Sequence, residues 1–254
     1  WASASDAAVA VVVRCRPAIG SEARLDISTE EGANGQVSLR LGPDASGDGA
    51  SFRCDCYCRE DARQEDVFEH ATDLVDGLLE GRSGAILCYG ATGSGKTFTM
   101  AGAKQAAGAE AAVCEEQVQG LVQLSALRLF ERLSGAQDGE VFTLEASFLA
   151  IHTVDGGAEQ LTDLLADDVD GAARVELRQG GALCSGLKGV PVRSPEELLE
   201  VLEVGRRAYE HRCVHARSHA VFVISVEHLP AAQPGQEPSV HCARLALAEL
   251  ASSA

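Results

Sequence analysis

Gly90-Ala91-Thr92-Gly93-Ser94-Gly95-Lys96-Thr97 is the stretch on which the reading of this chain turns. It has the form G-x-x-x-x-G-K-[ST], and it stands between an apolar run, Ala85–Tyr89, and a helical pattern, Thr97–Ala103. Glycines let the backbone curl so that successive N–H groups point at one spot. A helix starting near Lys96 adds the positive end of its dipole. Such a cradle suits the phosphates of a nucleotide. Lys96 would reach the β- and γ-phosphates, and the Thr97 hydroxyl is the kind of hard oxygen donor that Mg²⁺ takes. A glycine-rich turn without function is the bland alternative, but such a turn needs neither a strand ahead of it nor a helix behind.

Outward from this loop, apolar and β-branched runs recur at Val9–Val13, Val141–Ile151, Ala220–Val226 and Val240–Leu247. Helical patterns occupy Ala62–Leu79, Gly120–Leu133 and Pro195–Tyr209. Ser194, Pro195 and Glu197 open the last of these as a capping box with proline in the first turn. The alternation of strands and helices predicts an α/β sheet. Connections at Glu31–Ala50, Ala101–Ala112 and Leu229–Ser239 are rich in Gly, Ala and Pro but mark no boundary, so residues 1–254 read as one domain.

Composition narrows the partners. With 38 acidic against 21 basic residues the net charge is −17, which opposes broad binding to nucleic acid or to an anionic membrane. No apolar run is long enough to span a bilayer, and the first ten residues lack the pattern of a signal peptide. Nine cysteines scattered over 254 residues suit reduced thiols and a cytoplasmic setting better than a disulfide framework. The only methionine is Met100, so Trp1 is not an encoded start and missing ends are expected.

The flanks of the loop carry a resemblance. Val12-Val13-Arg14-Cys15-Arg16-Pro17 looks like the R-x-R-P segment of the kinesin motor domain, and Gly90–Met100, GATGSGKTFTM, looks like that family's phosphate loop. Phe52 to Phe68, with Asp55, Gln64, Glu65 and Val67 in step, is similar to its F-x-F-D strand and Q-E-x-V-[FY] helix start. Further likenesses follow in family order: Gly120 to Leu133, Ser147-Phe148-Leu149 with Asp163-Leu164-Leu165, Gly186-Leu187 to Gly205, and Arg217-Ser218-His219-Ala220-Val221-Phe222. The resemblance implies a P-loop NTPase three-layer sandwich with a mostly parallel or mixed central sheet and helices on both faces. It implies ATP or ADP with Mg²⁺ as cofactors, microtubules as partner, and a cytoplasmic, cytoskeletal site of action. Arg14, Arg16 and Pro17 would frame the adenine and Phe98 would stack on it, and Thr97 would meet the metal. Strand-end charges and a helix core residue are the plain alternatives for Arg14, Arg16 and Phe98.

The resemblance weakens where the family performs hydrolysis. Its switch I reads N-x-x-S-S-R-S-H, and here Arg212 stands for the Asn and His215-Ala216 for the paired serines, while Arg217, Ser218 and His219 are kept. Its switch II, D-L-A-G-S-E, is met by Glu249-Leu250-Ala251-Ser252-Ser253-Ala254. Glu249, Arg217 and Ser218 are therefore the candidate catalytic groups, with Glu249 one methylene too long and Ser252 in the glycine's place. Ala254 leaves Arg217 without the family's glutamate. Because the chain stops inside switch II, the track-binding half is expected to lie outside it. The resemblance points to a microtubule-stimulated ATPase with hydrolysis in doubt; the alternative is a nucleotide-binding pseudo-motor, an interaction domain without turnover.

Three smaller groupings remain. Cys54-x-Cys56-x-Cys58 places three thiols on one strand face, where packing is the better reading than metal. His211, His215 and His219 are spaced by four but fall in a switch loop, and Asp167, Asp168 and Asp170 read as a solvated acidic run.

Overall fold

A computed structural model describes residues 9–20, 22, 26–32, 35–42, 49–103, 118–136, 139–153, 159–167, 176–177, 184–213, 218–231 and 239–252. The chain divides into two compact units, Trp1–His70 and Ala71–Ala254.

The first unit holds β1 (Val12–Arg14), β2 (Ile27–Glu31), β3 (Val37–Leu41), β4 (Ser51–Cys54), β5 (Cys56–Cys58) and α1 (Gln64–Phe68). β2, β3 and β4 form an antiparallel meander, with Leu39 opposite Thr29 on one side and Phe52 on the other. β3 lies within Glu31–Ala50, expected to be a connection, whereas β4 carries Phe52, where the resemblance implied a strand. The sign of β3 is the alternation Val37, Leu39, Leu41 with polar residues between, of which Leu39 is buried. β1 pairs in parallel with β5, Val12 facing Cys56 and Arg14 facing Cys58.

The three cysteines expected on one strand face are divided. Asp55 leaves the β4 ladder: its N–H donates to the Val11 carbonyl at 2.8 Å and its carboxylate accepts from the Val11 N–H at 2.7 Å. Cys54 thus ends β4 beside β3, with its thiol on the Val37 carbonyl at 3.6 Å, while Cys56 and Cys58 belong to β5.

The second unit is built of α2 (Thr72–Leu79), β6 (Gly84–Cys88), α3 (Lys96–Ala101), α4 (Leu121–Leu133), β7 (Val141–Thr153), β8 (Glu159–Asp163), β9 (Glu176–Leu177), β10 (Cys184–Ser185), β11 (Val190–Pro191), α5 (Pro195–Arg212), β12 (Ser218–Leu229) and β13 (His241–Glu249). The single helix expected over 62–79 is interrupted: α1 ends at Phe68, a 3₁₀ turn covers Glu69–Ala71, and α2 begins at Thr72. The chain passes between the two units at this tightened turn.

Its sheet runs β11-β7-β12-β13-β6, with β8 sharing the outer edge of β7 with β11. The sheet is mixed: β6 is parallel to β13, whereas β13, β12 and β7 pair antiparallel. The connection 230–240 is shorter than a helical crossover needs, which forces the β12–β13 pair to be antiparallel. The period of two sorts the strands by face. Ala146 and Phe148, Phe222 and Ile224, and Leu245 and Leu247 all turn to one side and are buried. Phe148 meets Phe222 edge-on, with ring centroids 5.4 Å apart.

Helices α2 to α5 cover that side. On the other, Leu87 of β6 is 63% exposed, and the second helical layer of the expected sandwich is not among the described helices of this unit. α5 starts as its sequence predicts: the Ser194 hydroxyl accepts from the Glu197 N–H at 3.2 Å with Pro195 in the first turn. Gly205 on its inner face lets the helix reach β7, since a Cβ there would lie 2.2 Å from Cδ1 of Phe148.

α2 and α4 are tied by Arg128, whose guanidinium grips both oxygens of Asp76 at 2.8 and 2.9 Å. That hydrogen-bonded pair, and the positive charge with it, holds the Asp76 carboxyl below its ordinary value. A depressed folded-state pKa stabilises above the unfolded value and ceases to do so as pH falls through the folded one. The stability gap between wild type and Asp76→Asn, measured by urea denaturation, is therefore expected to be open at neutral pH and to close below about pH 4.

Candidate functional site

The phosphate loop joins the end of β6 to α3. Gly95 caps α3 with φ of 97°, a left-handed conformation that a side chain disfavours, so the helix can begin abruptly with its amides facing the loop. The Lys96 ammonium lies along the loop, donating to the carbonyls of Gly90 at 3.0 Å and Ala91 at 2.9 Å. Thr92, Gly93 and Ser94 are exposed at the outer curve, and the Ser94 N–H closes back on the Ala91 carbonyl at 3.2 Å.

Parallel pairing of β6 with β13 carries the residues after β13 to this loop. Glu249 stands opposite Cys88, and the Leu250 N–H donates to the Cys88 carbonyl at 3.0 Å. The Thr97 hydroxyl donates to the Glu249 carboxylate at 2.5 Å, and the Lys96 ammonium reaches the Ser252 hydroxyl at 2.8 Å. A hydroxyl and a carboxylate oxygen in contact, beside a lysine ammonium, form a donor set that fits Mg²⁺ with a nucleotide phosphate.

Of the switch I candidates, Ser218 and His219 are described, while Arg217, with His215 and Ala216, lies outside the described residues. Ser218 is buried at the start of β12 and shares a 2.6 Å hydrogen bond with the Tyr209 hydroxyl. Burial, joined by the charge of Glu249, pushes the Tyr209 phenol up, and the Ser218 contact works against it. His219 accepts from the Ala251 N–H at 3.1 Å through Nδ1, and so fastens the segment after β13 to β12. Behind Thr97 and Glu249 lies a cavity of about 310 Å³, walled by Met100, Phe148, Phe222 and Leu247 and bordered by Arg206, Tyr209 and Glu210 of α5.

The candidate adenine residues of the first unit are held locally. The Arg14 guanidinium donates to the Gln64 side chain at 2.5 Å, and Arg16 grips Glu22 at 2.7 and 2.8 Å and donates to the Pro17 carbonyl at 2.9 Å. The hydrogen bonds from Arg16, with the Ile19 N–H and the positive charge, hold the Glu22 carboxyl at about 2. Phe98, in the second unit, is 41% exposed and so is not a core residue of α3.

The kinesin motor domain description matches residues 14–254 of this sequence, across both units. The chain belongs to the kinesin motor family. This kinesin chain is 31% identical over 270 residues to kinesin-like protein KIF18B of Gallus gallus, covering 98% of itself and 32% of that relative. With kinesin-like protein KIF3C of Mus musculus it shares 29% over 262 residues, 97% of itself and 30% of the relative. It therefore spans about a third of the length of the curated kinesins it matches. Among solved structures, a fast kinesin superposes with a TM-score of 0.77 at 23% identity, over 97% of this chain and 66% of that one. The motor and motor homology domain of Kar3Vik1 gives 0.75 at 24%, over 96% and 61%. These likenesses establish a shared fold.

Two further residues have long-range contacts of their own. Arg212 donates to the carbonyls of Asp163 at 2.9 Å and Ala166 at 3.3 Å, bracing the end of α5. The Ser252 hydroxyl accepts from the Lys96 ammonium. Sequence reasoning missed Tyr209 altogether. Its sign was the spacing Leu198, Leu202, Gly205, Tyr209, a single inward stripe of α5, although nothing in that stripe names Ser218 as the partner.

Proposed function

We propose that the chain binds Mg-ATP and Mg-ADP through Gly90–Thr97 and serves as a microtubule-directed motor domain in which ATP turnover is slow. Residues 1–254 are read as one such domain, since the family match crosses both units. The observation that carries the proposal is the contact of the Thr97 hydroxyl with the Glu249 carboxylate, at the ends of adjacent elements beside the Lys96 ammonium. Thr97 and Glu249 would hold the metal, which when bound neutralises phosphate charge. Lys96 and the first amides of α3 bind and orient the phosphates. Arg14, Arg16, Pro17 and Phe98 are assigned to the adenine, and Arg217, Ser218 and Glu249 to the transition state, in line with the resemblance.

Slow turnover follows from what those groups already do. The Ser218 hydroxyl is engaged by Tyr209, and the missing switch I serines have no replacement in sequence. A single preorganised transition-state contact is worth roughly 10²–10³ in rate, and losses within one unit do not multiply. A microtubule partner and a cytoplasmic, cytoskeletal location accord with the family, and the fast kinesin of similar fold is described as interacting with microtubules. Neither nucleic acid nor a membrane is proposed as partner: the charge is −17, and no helix among the described residues is long and apolar enough to cross a bilayer.

The Ser252 contact with Lys96 favours a second reading, a pseudo-motor that holds nucleotide without cycling. Titration with a fluorescent ADP or ATP analogue in Mg²⁺, followed by phosphate release with and without microtubules, separates the two. Binding with microtubule-stimulated release supports the motor, and binding without release supports the pseudo-motor. Absence of binding would sink both.

A further inference from the structure

The first unit contains a cluster that nucleotide chemistry does not use. Cys56 and Cys58 are two apart on β5 and so turn to the same face, and His70 comes to them from the turn after α1. Their ligand atoms all lie within 4.8 Å of one another, and Cys56 Sγ is 3.0 Å from His70 Nε2. With zinc bonded at about 2.3 Å to sulfur and about 2.0 Å to nitrogen, a tetrahedron separates its S and N ligands by about 3.5 Å and two sulfurs by about 3.8 Å. The cluster is already gathered to that scale.

Both sides are held independently of any ligand. β5 is pinned to β1 by its parallel ladder and by the Cys15 N–H on the Cys58 carbonyl at 2.8 Å. At the start of α1, the Asp66 carboxylate accepts from the Arg63 N–H at 2.7 Å. Cys58 is buried, Cys56 half-buried and His70 exposed, so the cluster opens to solvent on the imidazole side, where a water can complete four-coordination. Two sulfurs and an imidazole are a donor set for a borderline-soft cation such as zinc, not for Mg²⁺ or Ca²⁺.

We infer that Cys56, Cys58 and His70 form a zinc site that clips β5 to the turn following α1. Strand alternation brings the Cys58 thiol to the face where Cys56 meets His70, and a zinc ion would engage all three ligand atoms at once. Burial, with the neighbouring Cys56 adding to it, pushes the Cys58 thiol up to about 11, while the positive charge of Arg14 works the other way. Zinc takes up the thiolates, so each Cys gives its proton to solvent on binding, and affinity rises with pH.

The test uses the full chain, stripped of metal and titrated with Zn²⁺ or Co²⁺ alone, with no nucleotide present. The expected result is one equivalent bound, tetrahedral thiolate–cobalt absorption, and zinc protection of Cys56 and Cys58 from alkylation. The exposed Cys242 should be labelled at an unchanged rate. Cys58→Ser and His70→Gln should weaken zinc by at least roughly 10–100-fold, the loss typical of removing even an outer partner of a bound metal. His70 is exposed, so its replacement leaves the core intact, and the alkylation assay reads the unaltered chain should Cys58→Ser fail to fold. Alkylation of Cys56 and Cys58 that ignores zinc overturns the site, as does zinc uptake undiminished in both variants.

Discussion

Lys96→Ala is expected to weaken Mg-ADP and Mg-ATP binding by about 10²-fold, the equivalent of one or two charge-assisted hydrogen bonds. The ammonium is the cation that the loop itself brings to the phosphates, and it is held over the cradle by the Gly90 and Ala91 carbonyls. Its removal leaves two carbonyls and the Ser252 hydroxyl at the edge of a loop whose tip is exposed, where water replaces the lost partner. The fold should therefore stand. Circular dichroism of the variant should match wild type while a fluorescent nucleotide titration shows the loss. Affinity retained within a factor of a few would remove the phosphate loop from the function altogether.

Ser252→Gly should have the opposite sign. The serine hydroxyl is hydrogen-bonded to the ammonium at 2.8 Å, beside the carbonyls that already hold it, and so occupies one direction from which a phosphate oxygen could approach. Hydrogen bonds to charged groups contribute about 1.5–3 kcal/mol, so freeing that direction is expected to raise ATP-analogue affinity roughly tenfold. Phosphate release should rise with it, if slowly, because Arg212 and Ser218 keep their present partners. Unchanged affinity and release in Ser252→Gly would place the obstacle in switch I and not at this hydroxyl.

What the sequence made legible was local. Strand, glycine loop, lysine and helix follow one another within a dozen or so residues, so this strand–loop–helix unit could be read by eye, and Ser194-Pro195 announced the start of α5 for the same reason. Long alternating runs likewise marked β7, β12 and β13, because a strand buried on one face has only one pattern to show. The rest depended on contacts across the chain. The bend at Asp55 arises from Val11, so nothing in Cys54-x-Cys56-x-Cys58 itself told that the trio would be parted or that His70 would join two of them. β3 was hidden by the Gly- and Asp-rich residues around a short alternating run. Tyr209 finds Ser218 only once α5 and β12 have packed. Lys96 meets Ser252 across 156 positions of sequence, which no window on the sequence spans.

That last separation bears on how the molecule is made. β6 is synthesised early and its parallel neighbour β13 late, with β7, β12 and their helices in between. Until residues near 250 have emerged, Cys88 lacks its partner and Thr97 its carboxylate, so the loop is present on the nascent chain well before the site is. Parallel pairing over such a distance closes a long loop and is slow to form. A nucleotide in solution would then bind only chains that have completed this step and would draw the equilibrium toward them, by about 2.7 kcal/mol at a hundredfold excess over its dissociation constant. The ligand would serve as a late folding partner.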